Sequence, residues 1–434
     1  MAKRHIVVIG AGFGGLAVAR GLRHARDVEL TIIDKQNHHL FQPLLYQVAT
    51  AALSPAEIAA PVRTILRHQR NARVLLDEVV GVDSGARQVR LASGIALGYD
   101  ELVIATGARH SYFGHDDWAE HAPGIKTIDD ATRVRAQILR ALERAETERQ
   151  QMPETRGQQL TFVVIGGGPT GVEMAGAIAE LTRHAADLEF RYITDACVRV
   201  LLVEAGPRLL ASFPEALSAK AKLALEQLGV EVRLGAAVTA IDADSVTVAG
   251  QRVPVAATIW AAGVQASPAA RWLGVAGDRA GRVPVGPDLT VPDMPNIFVI
   301  GDTAMVTGEG GKPVPGVAPA AKQQGHYVAR AILARLRGQP LTAPFVYKNY
   351  GNLATIGRQR AVADFGWTTL SGYAAWFVWS TAHLYYLADF RSRLLVGTQW
   401  VWSYLTFDRG ARLITGIDGA MPKLGWTEPV KRAA

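Results

Sequence analysis

The chain writes one pattern twice. "HIVVIGAGFGG" begins at His5 and "FVVIGGGPTG" at Phe162, which puts Gly10 and Gly166 about 155 residues apart. Each is a run of β-branched residues, then Gly-x-Gly-x-x-Gly, then a helix-forming stretch. A strand, tight turn and helix of this kind aims free N–H groups at a phosphate. Two copies, a domain length apart, require an α/β fold with two dinucleotide-binding units.

In the first copy Gly10 permits the turn, Gly12 lets the backbone approach a pyrophosphate, and Gly15 lets helix and strand pack closely. The next strand, "VELTIID", ends in Asp34, 19 residues past Gly15, where an acid meets a ribose diol. In the second copy Gly166, Gly168 and Gly171 take these places, and "VRVLLVEAG" carries the acid Glu204. Glu204 comes 33 residues after Gly171, so a long helix near 170–187 and an insertion near 188–197 are expected. An acid there favours NADH, because it repels the 2′-phosphate of NADPH. Three short segments complete the pattern: "ELVIATGAR" with Ala105, Thr106 and Gly107, its counterpart "TIWAAGV", and "PNIFVIGDTA" with Gly301 and Asp302. One unit is expected to hold a flavin dinucleotide (FAD) and the other a visiting NADH.

Composition narrows the chemistry. Apolar residues make up 49% and charged residues 20% of the chain, a globular balance. A net charge of +7 suits an anionic partner, but no basic block with interleaved aromatics speaks for nucleic acid. A single cysteine, Cys197, excludes an internal disulfide and any Cys-x-x-Cys redox pair. His38 and His39 lack further ligands at metal-binding spacing, so no metal is expected.

With "HHLFQPLLYQVAT", "APAAKQQG", "YKNYGNLATIG" and an aromatic tail, the chain resembles the two-dinucleotide-binding-domain flavoproteins. Within them it is similar to the type II NADH dehydrogenases, the non-pumping NADH:quinone oxidoreductases. The resemblance implies an FAD domain (1–115 and 285–340) interrupted by an NADH domain (116–284), then a C-terminal membrane-anchoring region (341–434). It implies non-covalent FAD on Gly10, Gly12, Gly14, Gly15, Asp34, Lys35, Pro43, Leu44, Gln47, Val79, Ala105, Thr106, Gly107, Gly301, Asp302, Ala320 and Gln323. It places NADH on Gly166, Gly168, Pro169, Thr170, Gly171, Glu173, Glu204, Ala262 and Gly263. Glu173 and Gln323 are its catalytic candidates; Glu173 could orient the carboxamide or relay a proton. The family pattern Ala-Gln-x-Ala-x-Gln reads Ala318-Pro319-Ala320-Ala321-Lys322-Gln323 here, with Pro319 replacing the first Gln.

The tail shapes the partner. Residues 365–388 carry no Asp, Glu, Lys or Arg, and six of nine tryptophans lie between Trp367 and Trp426. A membrane span, a dimer or core surface, and a pair of interfacial helices all fit. Trp and Tyr favour the headgroup level, and Arg391, Arg393, Arg409, Arg412, Lys423, Lys431 and Arg432 can meet anionic lipid. The expectation is a homodimer lying on the cytoplasmic face of the bacterial inner membrane, reducing a lipid-dissolved quinone. Cutting after about residue 363 is expected to release it. A ferredoxin-type flavoprotein reductase and a membrane-tethered NADH-binding sensor are the alternatives.

Overall fold

The computed structural model describes residues 3–339, 343–406 and 409–415. Lys423, Trp426, Lys431 and Arg432 therefore lie outside the described residues.

The first unit is built on a six-stranded sheet. Its order is Thr290–Val291, Met294–Val299, Glu101–Ile104, Arg4–Ile9, Val28–Asp34 and Ala72–Leu76. The second unit has four parallel strands, ordered Val230–Leu234, Val198–Glu204, Leu160–Ile165 and Ala257–Trp260. In each, the fingerprint strand is central and covered on both faces: Ile6–Val8 and Phe162–Val164 have no exposed surface. This is why both runs are continuously apolar instead of alternating. Each unit also carries a three-stranded antiparallel sheet, at 79–98 and at 238–254. The duplication therefore extends beyond the glycines.

The chain passes between the units on two antiparallel strands, Ala108–His110 and Val264–Ala266. Ala269, Leu273 and Val283 pack into the first unit's core, and Val283 pairs with Ala304. The apolar residues that follow Val264–Ala266 thus find their neighbours in the first unit.

Helix Ile128–Gln151 precedes the second fingerprint strand. Thr127 Oγ1 accepts from the Asp130 N–H at 3.1 Å, and the Asp130 carboxylate accepts from the Thr127 N–H at 2.9 Å, a reciprocal cap. The long helix of the second unit spans Pro169–Leu188.

The C-terminal region is part of the core as well as a surface. Strands Asn352–Gly357, Arg360–Asp364 and Thr369–Gly372 form an antiparallel sheet whose first strand lies against helix Pro169–Leu188. A Cβ on Gly176 would come within 1.9 Å of the Ile356 carbonyl oxygen, so only glycine allows this approach. Helices Tyr373–Tyr386 and Phe390–Thr406 follow, with Ala375, Trp379 and Val396 buried in the same core. A cut after residue 363 would open that core, so it is not a clean way to separate enzyme from anchor.

Neither helix qualifies as a span: among the described residues no helix is long and apolar enough to cross a membrane. Helix Phe390–Thr406 does expose a stripe of Phe390, Leu394, Val401 and Leu405, spaced for one helical face, with Trp402 beside it.

Candidate active site

The two turns match in detail. Gly10 and Gly166 have φ of +100° and +110°, a conformation glycine adopts without strain. A Cβ on Gly15 would lie 1.8 Å from the Gly10 carbonyl oxygen, and one on Gly171 1.8 Å from that of Gly166. Packing therefore demands these glycines. Gly12 and Gly168 differ: neither has a positive φ, and a Cβ on either would meet nothing within 4 Å. No protein atom explains the missing side chain there. A ligand backbone pressed against the turn does, and the residues fit the pyrophosphate of a dinucleotide at both places.

The strand-end acids are braced in parallel. Asp34 Oδ2 accepts from the Ala11 N–H at 2.6 Å and Oδ1 from Gln36 at 2.8 Å. Glu204 Oε2 accepts from the Gly167 N–H at 2.5 Å and Oε1 from Gly206 at 2.6 Å. Burial raises the Asp34 pKa, and the two N–H bonds oppose that shift. Lys35 is exposed beside it. The helix starts differ: Gly14 is buried, with Ile300 and the Ala321 carbonyl within 3.3 Å of where its Cβ would sit, whereas Pro169 and Thr170 are exposed.

A cavity at the first unit is lined by Gly301, Asp302, Ala320, Ala321 and Gln324, at the start of helix Ala318–Leu336. Beside it, Thr106 Oγ1 lies 2.5 Å from Ser267 Oγ and 3.2 Å from Thr303 Oγ1, while Thr303 donates to the Gly107 carbonyl. Sequence reasoning missed Ser267 and Thr303. Of the two adjacent glutamines, Gln324 and not Gln323 lines this cavity. Gln323 is bonded to Lys348 through both its amide groups, at 2.9 Å each. Gln324, one residue and about 100° further round the helix, accepts from the Gly301 N–H at 2.6 Å.

The His38–Thr50 segment supplies a wall. Leu44 is fully buried in the core, Pro43 is half-buried, and Val79 is buried opposite Leu91 in the small sheet. Gln47 donates to Tyr46 Oη at 2.8 Å and accepts from the Trp400 indole at 2.8 Å. His39 lies near the Ala11 carbonyl at 3.1 Å, and burial lowers its pKa to about 4. Aromatic rings continue this wall: Phe13 meets Phe41 at 5.9 Å, Phe41 meets His383 at 6.1 Å, and His383 stacks on Trp379 at 4.1 Å.

Glu173 sits in the first turns of helix Pro169–Leu188, under the C-terminal cap. Burial lifts its pKa from 4.5 to about 8, against opposing interactions with the Thr355 N–H and the Trp379 side chain. Two turns further along, Glu180 accepts from the Arg358 N–H at 2.6 Å and pairs with Arg409 at 3.1 Å. Arg409 also donates to the Thr50 and Ala177 carbonyls at 3.1 and 3.0 Å. Arg412 pairs with Glu189. Arg409 thus serves the interior of the fold instead of meeting lipid as the sequence suggested, whereas the Arg412–Glu189 pair lies at the surface and Arg391 and Arg393 are exposed.

At the second unit Ala262 and Gly263 follow strand Ala257–Trp260, and a Cβ on Gly263 would collide with the Phe113 ring at 2.5 Å.

Comparison with known proteins agrees with this construction. Residues 4–325 match the pyridine nucleotide-disulphide oxidoreductase family, and residues 350–409 match the NDH2 C-terminal domain. The chain is 46% identical to a type II NADH:quinone oxidoreductase of Mycobacterium tuberculosis, covering 95% of this chain and 91% of the relative. A second M. tuberculosis enzyme of that name is 44% identical over 95% of this chain and 90% of its own length. The fold matches NDH2 of Plasmodium falciparum, solved with NADH, at a TM-score of 0.84 and 21% identity, over 94% and 99% of the two chains. Duplicated cradles, a C-terminal cap on the second cradle's helix and this degree of identity place the chain in the pyridine nucleotide-disulphide oxidoreductase family, among the type II NADH:quinone oxidoreductases.

Proposed function

We propose that this chain oxidises NADH at the second cradle and reduces a lipid-dissolved quinone beside the first, without moving protons across the membrane. The observation that carries the reading is the pair of open glycines, Gly12 and Gly168, each beside a braced acid. FAD, when held by the first cradle, would supply the two-electron redox chemistry between the two substrates.

The chain's own groups do the rest. The Gly166–Gly171 turn binds the NADH pyrophosphate, and Glu204 takes the ribose diol. Its fixed negative charge repels a 2′-phosphate, so Glu204→Gln narrows the preference for NADH over NADPH by roughly tenfold or more. Steady-state kinetics with both nucleotides checks this, and an unchanged ratio removes Glu204 from the ribose site. Glu173, protonated at neutral pH, holds a proton where the second cradle's helix meets the C-terminal cap. Asp302 and Gln324 line the cavity, and hydrogen bonding of Gln324 to Gly301 fixes the backbone there.

The exposed stripe of helix Phe390–Thr406 rests in the bilayer interface on the cytoplasmic face, so the enzyme lies on the membrane without crossing it. Phe390→Asp with Leu405→Asp lowers partition into lipid vesicles roughly tenfold or more while circular dichroism stays unchanged. Retention at the wild-type level overturns the anchor. Self-association into a homodimer belongs to the same reading, and sedimentation of the detergent-solubilised protein as a monomer rejects it.

A further inference from the structure

Beyond the site, the surface carries a cluster of cations that no carboxylate answers among the described residues. Lys322, His326 and Arg330 are exposed at every fourth position of helix Ala318–Leu336 and form one ridge. Helix Phe13–Gly21 crosses it closely. A Cβ on Gly325 would lie 2.3 Å from the Gly14 carbonyl oxygen, and one on Gly21 would lie 2.5 Å from Ala329 Cβ.

That crossing brings exposed Arg20 to the ridge. Partial burial lowers the His326 pKa, followed by the charges of Lys322, Arg330 and Arg20. The C-terminal region adds Arg393. Partial burial holds Lys322 below the usual lysine range, followed by the charges of Arg20 and Arg393. Lys322 Nζ stands 5.3 Å from the Tyr386 ring centre and the Arg393 guanidinium 5.8 Å from that of Tyr385.

Among the described residues none of Arg20, Lys322, Arg330 and Arg393 forms an ion pair. Asp389, the acid nearest Arg393 in the chain, accepts from the Ser392 N–H at 2.7 Å as a helix cap. Tyr385, Phe390 and Leu394 border the cluster and are 67%, 76% and 55% exposed. Like charges held together beside exposed apolar groups fit an anion that carries its own apolar tail.

We propose that Arg20, Lys322, Arg330 and Arg393 bind the phosphates of anionic phospholipids, seating the FAD unit itself on the bilayer alongside the C-terminal helices. This inference rests on the membrane-surface reading above. It extends the contact to two helices of the first unit, one of which lines the cavity. The lipid phosphate and a free phosphate ion share the same chemistry, and the test separates them.

The experiment uses the full-length, flavin-loaded protein. Vesicles are phosphatidylcholine alone, or three parts phosphatidylcholine to one part phosphatidylglycerol. The variant is Arg20→Gln/Arg330→Gln, which leaves Lys322 and its neighbour Gln323 intact. Wild type is expected to partition more strongly into the anionic vesicles. The double variant loses roughly 10- to 30-fold of that partition. Its binding to neutral vesicles and its turnover with a water-soluble quinone stay at wild-type values. Arg20→Lys/Arg330→Lys, which keeps both charges, retains the anionic preference.

A double Gln variant that holds anionic vesicles as tightly as wild type overturns the cluster and leaves the anchor standing. Equal wild-type binding to both vesicle types does the same. Wild type binding neither vesicle removes the membrane-surface reading and this inference with it. Calorimetric binding of inorganic phosphate that Arg20→Gln/Arg330→Gln abolishes, with no wild-type preference for anionic vesicles, assigns the cluster to a free anion and rejects the lipid.

Discussion

Glu173→Gln slows NADH:quinone turnover roughly 100-fold, the usual scale for removing a positioned proton donor or acceptor. The pH profile is the sharper reading. With a pKa of about 8, wild-type Glu173 is protonated at neutral pH and loses its proton as the medium becomes alkaline. The wild-type rate therefore falls as pH rises through about 8, and the Gln variant lacks that limb. The same group ties stability to pH. Between 4.5 and about 8 the folded protein keeps a proton that the unfolded chain has released, so this contribution is complete below 4.5 and is lost as pH rises through 8. Glutamine, neutral throughout, shows no such loss. Its melting temperature relative to wild type should rise from about pH 6 to about pH 9. Superimposable rate profiles for the two proteins would remove Glu173 from the proton pathway.

Arg409→Ala destabilises the fold by roughly 3–5 kcal/mol, because it strands a mostly buried carboxylate. Arg409 and Glu180 are 10% and 18% exposed at their side chains, so water cannot replace the lost partner cheaply. The substitution also removes the donor that ties the Thr50 carbonyl to the Ala177 carbonyl, and with it the joint between the flavin-side segment and helix Pro169–Leu188. Thermal unfolding of the flavin-loaded protein measures the loss. Arg409→Leu with Glu180→Leu should recover most of it, since an apolar pair leaves no charge uncompensated. A double variant no more stable than Arg409→Ala would mean the arginine acts through its carbonyl bonds, not through Glu180.

How far the sequence could be read depends on how far apart the partners lie. Gly10, Gly15 and Asp34 belong to one strand-turn-helix-strand passage, so their spacing alone announces the cradle, and the second cradle repeats it. Glu173 was visible by position, but not the burial that raises its pKa, nor the Thr355 N–H and Trp379 side chain that oppose the shift from far along the chain. Arg409 is 229 positions from Glu180, and its apparent place in a basic, lipid-facing tail concealed a buried ion pair. Gln323 and Gln324 are adjacent letters, and only the rotation of the helix shows which one faces Gly301. The apolar pattern of 269–283 likewise says that the segment is buried but not in which core.

The two cradles have nearly the same backbone, yet one must keep its dinucleotide through many cycles and the other must let go of its own each time. The turn cannot set that difference, because it is shared. The cover can. Helix Ala318–Leu336 lies over the start of the first helix, with Gly14 pressed against Ala321 and Gly325 against Gly14, while Pro169 and Thr170 at the second start face solvent. Dwell time on this scaffold is then a property of the lid helix and not of the phosphate grip. Opening the Gly14–Gly325 crossing would turn a tightly held prosthetic group into an exchangeable one, raising its off-rate without altering a single phosphate contact.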